Sequence, residues 1–192
     1  MNIILASASP RRKKLLEDLG LSFITRSTEI DETFLPGEFP RDAVRRLASH
    51  KAKAAISQAQ GDYLVIAADT VVVFKDQALG KPTDQEDAWR KLNMLSGNCH
   101  EVITAVSIMT SAGNCEVEDE ITRVYFRHLS EEEIRSYVVS GEPMDKAGAY
   151  GIQGKGAFLI EKIEGCYFNV VGLPLAKLYQ MLQRYGINLM GA

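Results

Sequence analysis

The stretch Tyr63-Leu-Val-Ile-Ala-Ala-Asp-Thr-Val-Val-Val-Phe74 decides how the rest of the chain is read. Its β-branched, almost unbroken apolar character suits a central strand pair, and the following Lys75-Asp76-Gln77 can turn it. One residue is out of place. Asp69 puts a carboxylate inside a segment that must be buried, so it has to be protonated, hydrogen-bonded, paired or bound to a metal. With Thr70 it can bond nearby backbone at a kink, or it can serve chemistry. Both readings stand at this point.

Working outward, residues 2–6 read as a short buried strand and residues 10–19 as a helix, with Ser9 as N-cap, Pro10 at the first position and Gly20 as the stop. Residues 22–28 suit a second strand, followed by an acidic loop. A long helical pattern opens at Pro40 and runs to about Gln58. Thr83 and Glu86 are spaced as a capping box for a helix that stops at Gly97, and Ser130 and Glu133 as another for a helix that ends before Gly141. Two strands lie between these helices, joined by the turn residues Ser111-Ala-Gly-Asn114. A glycine-rich segment, residues 145–156, precedes the strand-like AFLIEKI (157–163) and CYFNVV (166–171), and Pro174 starts a last amphipathic helix. Strands interleaved with helices, some joined by tight turns, indicate an α/β fold with a mixed sheet.

At 192 residues the chain suits one domain with a substantial core. A net charge of −3 argues against broad nucleic-acid binding, and no apolar stretch approaches the length of a membrane span. The apolar run at residues 2–6 is too short for a signal peptide, so the expected compartment is the cytoplasm. Cys99, Cys115 and Cys166, like His50, His100 and His128, are scattered and fit neither a disulfide framework nor a zinc spacing.

Several charges stand where the fold alone would not choose them. Arg11, Arg12, Lys13 and Lys14 crowd the helix end that already carries positive partial charge. Lys13 and Lys14 can reach Glu17 and Asp18 one turn on, but Arg11 and Arg12 face only leucines at that spacing. Cap amides, hydroxyls and two guanidiniums together suit an anion, and a phosphate above all, although a solvated basic turn explains them as well. Lys51 falls on the apolar stripe defined by Val44, Leu47, Ala48 and Ala55, where it either snorkels or points into a cleft. Lys81 leaves a backbone restricted by Pro82. Glu29, Asp31 and Glu32 crowd one loop. Gly148, Gly151, Gly154 and Gly156 match neither the P-loop nor the dinucleotide fingerprint, but they allow close backbone approach to a ligand. The amide of Gln153, among them, offers the donor and acceptor that reading a base edge requires.

Three stretches, LASASPRR (5–12), AADTVV (67–72) and DKAGAYGIQG (145–154), together resemble the Maf family of nucleoside triphosphate pyrophosphatases, and LASHKAKA, GKPTD and NVVGLPL extend the match over the whole chain. The resemblance implies a single α/β domain over residues 1–192, related to the inosine triphosphate pyrophosphatases. Its elongated mixed sheet would carry flanking helices and a central cleft between two lobes, and a homodimer is possible. It implies cleavage of a nucleoside triphosphate between the α and β phosphorus atoms, assisted by magnesium or manganese. The late AGAYGIQG stretch is similar to the branch acting on dTTP and UTP, with 7-methyl-GTP hydrolysis or nucleotide-dependent regulation of cell division as the alternatives. By the same resemblance Asp69 is the general base and, with Glu32, a metal ligand. Lys51 and Lys81 neutralise phosphate charge. Arg11 contacts phosphate, Arg12 does likewise or serves structure, Ser7 and Ser9 shape the loop, and Thr70 and Gln153 set specificity.

Overall fold

The computed structural model describes residues 2–56 and 61–190. The strands are β1 (Asn2–Ala6), β2 (Ile24–Thr25), β3 (Tyr63–Phe74), β4 (Gln77–Leu79), β5 (Cys99–Thr110), β6 (Cys115–Phe126) and β7 (Ile160–Glu164). The α-helices are α1 (Pro10–Asp18), α2 (Pro40–Ile56), α3 (Gln85–Leu95), α4 (Glu131–Val139), α5 (Tyr167–Val171) and α6 (Leu175–Gln183). Among the described residues the seven strands form one mixed sheet in the order β2-β1-β3-β5-β6-β7, with β4 also pairing with β3. The β1/β2 and β1/β3 pairs are parallel, whereas β3/β4 and β6/β7 are antiparallel.

The apolar run 63–74 is thus one twelve-residue strand followed by a hairpin. Lys75 and Asp76 both take positive φ, 50° and 64°, as a two-residue hairpin turn requires.

The chain divides into two compact units. The first takes in the chain up to Asp69, Thr104–Glu120 and the segment from Gly172 onward. Its core packs Ala52 and Ala55 of α2 against Ile4 and Ala6 of β1 and Val65 and Ala67 of β3. Asp119, almost fully enclosed, is matched there by Arg41 (2.7 Å) and Arg45. The second unit comprises Thr70–Ile103 and Ile121–Val171. Its core joins Val72 and Phe74 to Leu92 and Leu95 of α3, Val124 and Phe126 of β6, and Ile134 and Tyr137 of α4.

Four expectations need correction. Of the strand expected at AFLIEKI only the part from Ile160 onward is extended, because Gly154–Leu159 form a 3-10 helix. The Thr83–Glu86 box does not form: Asp84 caps α3 by accepting from the Asp87 amide at 2.8 Å, so the helix starts one residue later. The Ser130–Glu133 box does form, with both reciprocal bonds present. Residues 22–28 supply only the two-residue β2. CYFNVV is helical as α5 rather than extended, because Gly165 (φ 132°) ends β7 and the buried Asn169 amide donates to Val102 O and Thr122 Oγ1, both at 2.9 Å. The last residues expected for α2, Ser57 and Gln58, lie outside the described residues.

Candidate active site

The basic turn at the start of α1 is arranged by its hydroxyls. Ser9 Oγ caps the Arg12 amide at 3.4 Å, and Ser7 Oγ accepts from the Ser9 amide at 3.1 Å. Lys14 pairs with Asp18 at 2.6 Å and Lys13 with Glu17 at 3.6 Å, as their spacing predicts. Arg12 turns inward instead. Its Nε donates to Gly172 O and its Nη1 to Ala68 O, each at 2.8 Å, with Ser7 Oγ at 3.3 Å. Burial pulls the Arg12 pKa down and the Asp69 carboxylate pulls it back. The guanidinium therefore joins α1 to the residue immediately before Asp69.

Asp69 is itself buried. Its Oδ1 accepts from Lys51 Nζ at 2.5 Å, and the same ammonium lies 2.7 Å from Glu32 Oε1. Lys51 and Asp69 are nearly enclosed, with side chains 12% and 13% exposed, whereas Glu32 reaches in from solvent at 54%. Burial raises the Asp69 pKa, and it outweighs the opposing pull of Lys51 and Arg12; the negative charge of Glu32 raises it further. The Lys51 side chain arrives there because Val44, Leu47, Ala48 and Ala55 fix the buried face of α2.

The loop bearing Glu32 is held by residues that the sequence did not single out. Arg46 binds both carboxylate oxygens of Glu38 at 2.7 Å and donates to Thr33 O at 3.1 Å, while Glu38 accepts from the Leu35 amide at 3.0 Å. The Arg46 bond, with the amide of Leu35, draws the Glu38 carboxyl down to about 2. Eight residues and the turn into α2 separate the two, so no helical or strand spacing announces the pair.

Glu32 and Asp69 turn carboxylate oxygens towards the Lys51 ammonium with one negative charge in excess, and hard oxygen donors of this kind suit magnesium or manganese, which take carboxylates, waters and phosphate oxygens together. Among the described residues no group of three or more His, Cys, Asp or Glu side chains is placed to hold a metal, so the protein itself offers two carboxylates there at most. The donor set fits a hard divalent ion shared with a phosphate ligand.

Ser7, Ser9, Arg12, Glu32, Lys51 and Asp69 are thus linked in the first unit, which also holds Arg11. Thr70, Lys81 and Gln153 belong to the second. Thr70 is partly buried in β3, and Lys81 and Gln153 are exposed. The Lys81 carbonyl accepts from Lys91 Nζ at 3.1 Å, and that ammonium also pairs with Asp87 at 2.7 Å. Asp87 accepts in addition from the Thr83 amide at 3.1 Å, so both sides of Pro82 are tied to α3.

The glycine-rich segment approaches the protein's own groups closely. A Cβ on Gly148 (φ 66°) would lie 2.9 Å from the Val72 side chain, and one on Gly156 only 2.0 Å from Gly151 O. Glu142 and Tyr137, also unsuspected from sequence, meet this loop directly.

The mixed sheet with flanking helices places the molecule in a known class of α/β folds. A HAM1 protein from Coxiella burnetii shares the fold, with a TM-score of 0.53 over 96% of this chain and 99% of that one at 17% identity. The model of the Maf-like protein family matches residues 2–185, and the chain belongs to that family. Relatives include the dTTP/UTP pyrophosphatase of Syntrophomonas wolfei, 54% identical with 97% of this chain and 98% of that protein covered, and that of Pelotomaculum thermopropionicum, 50% identical with 98% of each covered. No helix among the described residues is long and apolar enough to cross a membrane.

Proposed function

We propose that this protein is a nucleoside triphosphate pyrophosphatase that hydrolyses dTTP and UTP to the monophosphate and pyrophosphate. The observation that carries the reading is the buried Asp69 on the Lys51 ammonium, with Glu32 on the same cation, in a chain 54% identical to a dTTP/UTP pyrophosphatase. In the reaction a water oxygen bonds to the α-phosphorus, the bond to the α–β bridging oxygen breaks, and pyrophosphate departs with the electron pair. The attacking water must lose a proton. Asp69 is the base for that proton, and its raised pKa brings its proton affinity towards that of a base working near neutral pH.

Lys51 holds the Asp69 carboxylate in place in the resting protein and offers positive charge to the phosphates. Arg11 and Lys81 add charge for the triphosphate, Arg12 fixes the backbone before Asp69, and Ser7 and Ser9 shape the loop between. Thr70 and Gln153 take the specificity role. Glu32 and Asp69 would hold magnesium or manganese, which supplies Lewis-acid stabilisation of charge on the phosphate oxygens. The same reading gives the protein a nucleotide rather than a nucleic acid as its partner and the cytoplasm, where nucleotide pools lie, as its compartment, with a homodimer compatible with it.

The test is product analysis. With dTTP and magnesium or manganese, dTMP and pyrophosphate should appear in equal amounts and stop on chelation. A panel should rank dTTP and UTP above purine triphosphates, 7-methyl-GTP included. Release of orthophosphate, or a preference for purines, would overturn the assignment.

A further inference from the structure

Glu142 lies in a short 3-10 helix (Glu142–Asp145) after α4 and takes no part in the chemistry above. Its carboxylate nonetheless accepts three hydrogen bonds, two of them from the glycine-rich loop. Oε2 accepts from the Lys155 amide at 3.1 Å. Oε1 accepts from the Gly156 amide at 3.1 Å and from the Tyr137 hydroxyl at 3.0 Å. That hydroxyl accepts in turn from the Gly151 amide at 3.3 Å. Lys146 reaches back to the Glu142 carbonyl at 2.5 Å.

The loop is also shaped around this group. Gly154 takes φ 67°, and a Cβ there would come within 3.0 Å of the carboxylate. A Cβ on Gly156 would press on the Tyr137 hydroxyl at 2.8 Å as well as on Gly151 O. Burial alone would push the Glu142 carboxyl up, but the two amides, the Tyr137 hydroxyl and Lys146 together draw it below the usual range. Gln153 sits inside the bracket these bonds form, between Gly151 on one side and Lys155 and Gly156 on the other, at the entry to a second 3-10 segment (Gly154–Leu159).

We propose that Glu142 is a positioning residue for base selection, an internal anion on which the glycine-rich loop is folded so that the Gln153 amide is presented in one fixed place. The proposal rests on Gln153 discriminating between bases in the reading above. A hydrogen-bonding group rejects the wrong base only when its own position is fixed, because a mobile amide re-pairs with whatever edge arrives.

The test uses the ratio of kcat/KM for dTTP to that for dGTP, which loss of folded protein does not move. Glu142→Gln keeps the volume but turns one acceptor into a donor facing another donor. It should lower the ratio roughly tenfold, the effect of one displaced hydrogen-bond partner, and speed hydrogen exchange at the Lys155 or Gly156 amide. Gln153→Ala should lower the ratio too, and the double variant should be no lower than Gln153→Ala alone. Tyr137→Phe, which removes a single hydroxyl, should act in the same direction with smaller size and serves if Glu142→Gln does not fold. A ratio that moves in Gln153→Ala but in neither Glu142→Gln nor Tyr137→Phe overturns the proposal while leaving Gln153 as the reader. So does a double variant showing the product of both single effects. A ratio unmoved by Gln153→Ala removes the reader itself, and the proposal with it.

Discussion

Asp69 concentrates the conflict between folding and chemistry. A carboxylate with a raised pKa is harder to ionise in the folded chain than in the unfolded one, so the native state binds the extra proton between the unfolded and folded values. The contribution of Asp69 to stability is therefore fully present below its unfolded pKa and is lost as pH rises through the folded value. At neutral pH the charged form is a cost that Lys51 only partly offsets. Asp69→Asn should lower turnover by about 10²–10⁴-fold, the usual worth of a general base. It should not lower the midpoint of thermal unfolding at pH 7, because Lys51 keeps Glu32 as a partner. Pyrophosphate release and melting curves of both proteins check this, and a clearly less stable variant would make Asp69 a structural residue. The acid limb of the wild-type rate profile should lie above the ordinary aspartate range. Asp69 and Lys51 were legible in sequence because each is a charge at a position whose neighbours are apolar. Glu142 was not, because its partners are main-chain amides that any sequence supplies.

Between elements, the same contrast explains what could be read. The caps of α1 and α4 lie where expected and that of α3 one residue later, and the strand character of β3 follows from composition alone. The α5 helix does not, since five residues have too little periodicity and the Asn169 bonds that hold it come from residues 47 and 67 positions away. Arg12 is the clearest case. Its sequence neighbourhood suggested an anion, yet the guanidinium donates to carbonyls 56 and 160 residues distant, tying α1 to the middle of β3 and to the segment before α6. Lysine carries charge but not the planar fork, so a single shorter-reaching nitrogen replaces the separate Nε and Nη1 donors that meet the two carbonyls. Arg12→Lys should therefore destabilise the protein by about 1–3 kcal/mol in urea unfolding and lower kcat by displacing Asp69. A variant of wild-type stability with only KM raised would instead make Arg12 a direct phosphate contact.

For the molecule as a whole, the response to acid can be divided by pH window. Glu38 and Asp87, both drawn down to about 2 by hydrogen-bonded cations, contribute stability above the ordinary carboxylate range and lose it as pH falls towards 2. His100 acts earlier. It is 2% exposed, its Nε2 lies 2.6 Å from the Tyr150 hydroxyl, and its ring meets Phe126 and Tyr150 edge-on. Burial lowers its pKa from 6.5 to about 4, so the folded protein keeps it neutral while the unfolded chain takes up a proton. Because the unfolded state then binds more protons, stability is fully present above about 6.5 and declines as pH falls towards 4, by about 3 kcal/mol in total. Asp69 slopes the opposite way, so a net loss between about pH 6.5 and 5, above the window of the depressed carboxylates, is assigned to the imidazole. His100→Gln keeps a polar partner for Tyr150 but cannot titrate. Denaturant unfolding at half-unit steps from pH 7 to pH 4 should show a decline in the wild type that is largely absent in the variant. Parallel curves for the two proteins would mean that His100 takes up its proton in the folded protein at the same pH as in the unfolded chain, and that its burial against Tyr150 costs the charged form nothing.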